Sequence, residues 1–511
     1  MRMPILLATV ALFAAACGGT SATDSPANGT NPAHGGWTPE PWEGEASEAP
    51  AIEPAGTPYD GVTFEDPGVN PFVPTGRDSR STFGLDVDTA SYAIARRFIE
   101  DGNTPDPASI RVEEFVNAFE HDYPAPEEDT FALYADGAPT PFLDRDEVLL
   151  RLGVKAREIP DRSRREAALT FVIDTSGSMD REDRLELVKR SLRLLVDRLD
   201  REDSIAIVTY GTDARVVLEP TLVRDAEEII QVIDGLHPDG STNAEAGLAL
   251  GYRLAAAAFR EEGINRVILA SDGVANVGET DPDRILDRLA WDRELGVQLV
   301  TVGFGMGNYN DALMERLADA GDGFYAYVNT LDDARTLFGD QLTSTLQAVA
   351  LDARAQVDFE PGVVASYRLL GYENRDIADE QFRDDAIEAG AIGAGHAVTA
   401  LYALRLTGDG RDGDRLATLR LRWIDPDTRR AAETALDIHV GELARSFDRA
   451  SDSFRLDALV AQAAEVFRDS RWARDTRIED VLAVADEVDL PRDAQAGEFL
   501  RLLEEATRLG R

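Results

Sequence analysis

The sequence predicts an α/β protein with a central doubly wound parallel sheet, a small α+β region before it, and strands followed by helices after it. Three observations point there. Between 167 and 348, short unbroken apolar runs alternate with amphipathic stretches of helical period. Strands buried on both faces carry no polar side, and strand–helix alternation implies a parallel, Rossmann-like sheet covered by helices. On either side of this stretch, strand-like segments alternate apolar and polar residues, as half-buried strands do. The chain also has 511 residues, too many for one core at about 100–200 residues per domain.

Residues 1–16 read as a signal peptide. Met1-Arg2-Met3 is positive, 4–16 is apolar, and Ala14-Ala15-Ala16 supplies the small-residue end. The apolar run is too short for a bilayer, which needs about 20 residues. From Cys17 to about 80 the chain is rich in Pro, Gly, Ser, Thr and acidic residues, with Trp37 and Trp42 isolated among them. Such a stretch buries too little to fold and is expected to be a disordered tether. The region 81–166 opens on a strand at 83–87. Helices at 90–99 and 112–119 follow, the second with Val112, Phe115, Val116 and Phe119 at helical spacing, and then a strand at 148–154.

In the central region, 168–173 is the first buried strand. A helix over 185–199 places Leu185, Val188, Leu192, Leu195 and Leu199 on one side. Strands at 204–209 and 215–218, helices at 226–236 and 244–260, and a strand at 267–270 continue the pattern. A helix at 282–295, a strand at 297–302, a helix at 311–320 and a strand at 324–328 close it. The last region, 349–511, reads as strands to about 440, including 400–406 and 417–423 around a turn at 408–413. Helices at 454–467, 478–488 and 498–509 end the chain.

Composition narrows the function. Hydrophobic residues make up 43%, ordinary for globular folds, but 52 Lys and Arg face 95 Asp and Glu, for a net charge of −43. That surface repels phosphates and anionic headgroups, which argues against nucleic acid and against membrane contact beyond an anchor. The acidity suits solubility or salt tolerance equally well. The single cysteine, Cys17, rules out internal disulfides and thiolate metal sites, and five scattered histidines disfavour a zinc cluster. The glycine-rich Gly303-Phe-Gly305-Met-Gly307 lacks a phosphate-loop lysine, so no nucleotide is expected.

The chemistry concentrates after the first and fourth central strands. Asp174-Thr-Ser176-Gly-Ser178 follows one and Asp272 the other, and Gly240-Ser-Thr242-Asn243 lies before a long helix. In open parallel sheets, ligands bind beyond the carboxyl ends of strands where the strand order reverses. If the strands bearing Asp174 and Asp272 are neighbours, the three segments share one crevice. Ser176, Ser178 and Thr242 offer hydroxyls, while Asp174 and Asp272 offer charge, directly or through water. That set suits Mg²⁺, with Mn²⁺ or Ca²⁺ as alternatives. Helix capping and turn formation account for the first motif taken alone.

These segments, with Ser271-Asp-Gly-Val-Ala-Asn276, resemble the three motifs of von Willebrand factor type A domains. The resemblance implies that Asp174, Ser176, Ser178, Thr242 and Asp272 form a metal-ion-dependent adhesion site. Ser81-Thr-Phe-Gly-Leu-Asp-Val-Asp-Thr-Ala-Ser-Tyr92, Tyr367-Arg-Leu-Leu-Gly-Tyr-Glu-Asn-Arg375 and Gly393-Ala-Gly-His-Ala-Val-Thr-Ala-Leu-Tyr402 resemble segments of YfbK-type bacterial lipoproteins. Ala14-Ala-Ala-Cys17 resembles a lipobox, which implies lipid on Cys17 and a cell-envelope, extracytoplasmic protein; Gly18 beside it favours the outer membrane.

The resulting expectation is a binding protein, not an enzyme, whose metal grips an Asp or Glu of a protein partner. A metal-assisted hydrolase or a scaffold with a purely structural metal are the alternatives. No His or Glu motif near Asp272 supplies the general base a hydrolase needs. Asp86 and Asp88 could form a second acidic site, but capping of the helix from Ala90 by Asp88 or Thr89 is the simpler role. His396 reads as a packed loop residue and His237 as a turn residue before Pro238.

Overall fold

The computed structural model describes residue 64 and residues 66–510, except 86, 241, 273–283, 286–295, 306–310, 320, 386 and 388. Cys17, Asp86 and most of the helix expected at 282–295 lie outside the described residues. The first elements are β1 (Val73–Pro74), β2 (Arg80–Gly84), α1 (Ala90–Glu100), α2 (Val112–Asn117), β3 (Phe131–Ala138) and β4 (Glu147–Ala156). The sequence assigns everything up to 80 to the tether, yet the segment before β2 is docked. Val73 pairs with Tyr367, Asn70 Nδ2 donates to the carbonyls of Leu369 and Gly371 at 3.3 and 2.9 Å, and Phe72 packs edge-on against Trp472. Few apolar side chains are needed because the segment's partners, among them the Val364 carbonyl that accepts from Thr75 Oγ1 at 2.6 Å, come from the receiving surface rather than from the segment itself.

The central sheet comprises β5 (Ala167–Asp174), β6 (Ser204–Tyr210), β7 (Ala214–Leu222), β8 (Ile264–Ser271), β9 (Gln298–Phe304) and β10 (Tyr325–Val328). Helices α3 (Arg184–Val196), α4 (Ala226–Asp234), α5 (Ala244–Ala257), α6 (Asp311–Asp319), α7 (Leu331–Arg335) and α8 (Leu342–Leu346) accompany it. β5 is buried throughout. Its Leu169, Phe171 and Ile173 share a core with Leu185, Val188 and Leu192 of α3, while Val172 shares the opposite core with Leu248 and Tyr252 of α5. Each such side chain contributes about 1.5–3 kcal/mol on burial. A Cβ on Gly251 would lie 2.3 Å from Val172 Cγ2, so only glycine lets α5 sit this close to the sheet.

The strand order is β10-β9-β8-β5-β6-β7. β5 pairs in parallel with both β6 and β8, so chain order reverses at the β5–β8 boundary. The expected all-parallel sheet is corrected at one edge: β7 runs antiparallel to β6. Only Gly211, Thr212 and Asp213 separate them, which permits a hairpin but no crossover.

The last region contains β11 (Ala348–Phe359), β12 (Val364–Leu370), β13 (Ile392–Gly393), β14 (Ala397–Leu406), β15 (Arg415–Ile424) and β16 (Ala431–His439). Helices α9 (Asp452–Phe467), α10 (Ile478–Glu487) and α11 (Ala494–Arg508) follow. Its strands interleave with the early ones. One sheet has the order β1-β12-β14-β4-β3, and in the other β2 and β15 both pair with β11. The two sheets share one core, and α1 and α2 share another with α9, α10 and α11. The stretches before and after the central sheet therefore complete each other's sheets.

Candidate metal centre

The crevice lies at the carboxyl ends of β5 and β8, on the switch point. Register pairs Ile173 with Ala270, which sets Asp174 and Ser271 at matching heights and Asp272 one residue beyond. Both aspartates are fully buried. Asp174 Oδ1 accepts from the Ser176 backbone N–H at 2.8 Å, and Oδ2 accepts from Ser271 Oγ at 2.9 Å and Tyr210 Oη at 3.4 Å. The turn brings the Ser176 and Ser178 hydroxyls within 3.0 Å of each other. Ser176 is buried and Ser178 half-buried.

The loop before α5 is stitched onto this turn. The Gly177 N–H donates to Gly240 O at 3.1 Å, and the Asp239 N–H donates to Thr175 O. Gly240 adopts φ +86, where a Cβ would also strike Thr212, so glycine is required there. Thr242 follows and is buried. Asn243 caps α5 by accepting from the Ala246 N–H, and its own N–H donates to Gly211 O. The three sequence-predicted segments thus converge. Ser241 and 273–276 lie outside the described residues.

Two carboxylates without water are costly. Burial first, and then the charge of Asp272, push the Asp174 carboxyl up to about 7. Asp272 Oδ2 accepts from Arg184 Nη1 at 2.9 Å, but Asp272 Oδ1 is buried with no hydrogen-bond partner among the described residues. A buried oxygen in that condition costs about 1–3 kcal/mol. The set of an unpartnered carboxylate oxygen, a second carboxylate and paired hydroxyls fits a hard divalent cation. Among the described residues, no group of three or more His, Cys, Asp or Glu could hold a metal, so hydroxyls would have to complete any coordination here.

Sequence reasoning missed three participants: Ser271, Tyr210 and Arg184. Ser271 stood inside the third motif with no role assigned, and Arg184 carried a signal of its own. It stands four residues before Val188 and eight before Leu192, so its charge falls on the apolar face of α3.

The other candidates resolve simply. Asp88 Oδ1 accepts from the Tyr325 N–H at 3.0 Å, tying the early region to β10, while the N-cap Thr89 makes no side-chain cap bond. His396 is half-buried; loss of water around its ring, then Lys155 and Arg266, push its imidazole down to about 4, so it is neutral. His237 is exposed, with Nδ1 3.0 Å from Gly235 O, in the turn.

Comparison with known proteins agrees with this architecture. Residues 168–340 match the family model of the von Willebrand factor type A domain. Residues 59–151 match a model described as von Willebrand factor, and 344–509 one described as "Uncharacterized protein YfbK, C-terminal". YfbK of Escherichia coli is 37% identical over 462 residues, spanning 85% of this chain and 79% of its own length. A protein of Synechocystis sp. is 32% identical over 202 residues, 40% of this chain and 46% of its own length. A human inter-alpha-trypsin inhibitor heavy chain is 26% identical over 200 residues, 38% of this chain and 21% of its own length. A solved von Willebrand factor type A structure from Catenulispora acidiphila, 18% identical, covers 72% of this chain and 88% of its own with a TM-score of 0.44.

Proposed function

Because this chain belongs to the family of YfbK and carries a von Willebrand factor type A domain at its centre, we propose that it is an envelope-anchored protein that binds a protein partner through a divalent cation. Domains of this type mediate protein–protein interaction. The observation that carries the finer reading is Asp272 Oδ1, a buried carboxylate oxygen without a partner among the described residues, in the crevice that also holds Asp174. Asp174, Ser176, Ser178, Thr242 and Asp272 would hold the ion, Mg²⁺ by preference and Mn²⁺ or Ca²⁺ by the same donors. When bound, it would offer an open, Lewis-acidic position to an outside Asp or Glu. Neutral hydroxyls leave the ion poorly neutralised, so a third carboxylate is attracted locally although the whole chain is acidic. The role is binding rather than catalysis. Lipid on Cys17 would tether the protein to the envelope, with the outer membrane preferred; two or three acyl chains anchor durably at about 0.8 kcal/mol per buried CH₂.

The test is capture of the partner from envelope membranes, with the parent and Thr242→Ala as baits, in Mg²⁺ and in EDTA. Thr242→Ala removes a hydroxyl without changing charge. We expect a partner recovered only with Mg²⁺ and bound at least about tenfold, or 1.4 kcal/mol, more weakly by the variant. Equal capture under all conditions would replace this reading with a scaffold.

A further inference from the structure

We propose a second ligand site, for a small molecule with a carboxylate or phosphate head, in the cavity where Arg266, Lys155 and His396 converge. It stands apart from the metal crevice and does not rest on the metal reading. Arg266 is on β8, six residues before Asp272, which is about 20 Å along a strand at about 3.3 Å per residue. The cavity measures about 700 Å³, inside the range of small-molecule sites, about 300–1,000 Å³.

Arg266 is out of place for a structural residue. Alternation along β8 turns it to the same side as Ile264, Ile268 and Ala270, into the core beneath α3 and α8. It is 2% exposed, and its Nε donates to Leu346 O at 2.8 Å. Among the described residues its buried Nη1 has no hydrogen-bond partner, and no carboxylate pairs with the guanidinium. Burial pushes the group down only to about 10, so it stays charged at neutral pH. An unneutralised buried cation is costly, and a chain with 95 Asp and Glu has no shortage of acids to pair with one. An anion from outside would relieve that cost.

The cavity wall supplies the other donors. Leu346 O takes the Arg266 Nε–H, and the next carbonyl, Gln347 O, takes the Ala394 N–H at 2.9 Å, so the loop before β14 is held beside the guanidinium. That loop carries His396, half-buried, whose Nδ1 is buried without a partner among the described residues. Lys155 of β4 gives one of its three N–H groups to Gly395 O at 2.6 Å. Lys155 and His396 line the cavity, and the charges of Lys155 and Arg266 both bear on the His396 ring. The seat thus combines two cations with a neutral imidazole. Donors converging from separate elements suit the several oxygens of a carboxylate or phosphate. Glu120, Glu158, Asp161 and Asp340 also line the cavity but are exposed, where water and salt screen their repulsion.

The experiment is equilibrium dialysis of the full chain against radiolabelled inorganic phosphate and, separately, radiolabelled acetate. EDTA is present throughout, so that no cation in the metal crevice holds the anion. One saturable site is expected in the parent; which of the two probes fills it names the head group. Arg266→Met and Lys155→Met each remove one positive charge and should weaken that binding about tenfold or more. His396→Phe removes Nδ1 without changing the charge and should weaken it less. Each variant is checked by its melting curve, and Lys155→Met carries the test should Arg266→Met fail to fold. No saturable binding of either probe by the parent, or binding unchanged in the folded charge variants, overturns the site.

Discussion

On α9, Glu465 is buried among cations: its Oε1 accepts from Arg368 Nη1 at 3.0 Å and Arg468 Nη2 at 2.6 Å, and Arg468 also reaches Glu373 at 3.0 Å. At the end of β5, Asp174 is equally buried beside another carboxylate. Burial alone would raise both acids. The two guanidinia overturn it and hold the Glu465 carboxyl down to about 2, whereas Asp272 reinforces it and Asp174 stands at about 7. Inaccessibility to water is common to both, so what separates a structural charge from a candidate binding site is the sign of the neighbours. The α9 cluster is complete in charge, two guanidinia to two carboxylates, although Glu465 Oε2 also lacks a hydrogen-bond partner among the described residues. The crevice has an acid in excess and an oxygen unmatched, the condition that an added cation would relieve.

The contrast can be broken most forcefully at the complete cluster. Glu465→Gln strands Arg368 and leaves Arg468 with Glu373 alone, and should cost about 3–5 kcal/mol in denaturant unfolding, the same with Mg²⁺ as with EDTA. A loss that Mg²⁺ repairs would mean the two regions are not separate.

Acid should reveal the same cluster. Glu465 has a folded value of about 2 against 4.5 ordinarily, so the unfolded chain takes up the proton more readily. Its contribution, about 3 kcal/mol, is whole above pH about 4.5 and lost as pH falls toward about 2. Unfolding midpoints of parent and Glu465→Gln should therefore converge in acid; a constant gap would contradict the pairing.

Asp174→Asn is the opposing case. It removes a charge that lacks a counter-ion, so in EDTA the variant should be as stable as the parent or up to about 2 kcal/mol more stable. A loss comparable to that of Glu465→Gln would show that Asp174 is a structural charge.

The smallest effect belongs to an exposed ion pair, Arg193 with Asp234, both about half exposed. Arg193→Ala should change stability by less than about 1 kcal/mol in thermal unfolding. A larger loss would make exposure a poor guide to the weight of a charge here.

The three crevice segments were legible because their position follows from chain order. Apolar runs identify buried strands, and an Asp at a strand's carboxyl end stays there whatever the loops do. Ser271 and Tyr210 were not legible: their hydroxyls meet Asp174 through strand register, which the local pattern does not encode. Arg184 could have been found as a charge on an apolar helix face. The pairing of β4 with β14 and β2 with β11 was hidden for a different reason. Alternating residues show that a strand has one buried face, but not which partner, here more than 200 residues away, will cover its edge. The docking of 66–80 escaped because its stability comes from the surface receiving it. The Asp88 contact with Tyr325 competes with a local cap of similar chemistry, and only the tertiary fold decides between them.

The central claim is that the crevice between β5 and β8 completes itself with a divalent cation, and calorimetric titration of Mg²⁺ into the EDTA-stripped chain tests it most directly. The account predicts one saturable site in the parent, none in Asp174→Asn, and a stabilisation of about 2.7 kcal/mol when Mg²⁺ is about 100-fold above its dissociation constant. No saturable binding in the parent, or a site that survives unchanged in Asp174→Asn, would contradict it.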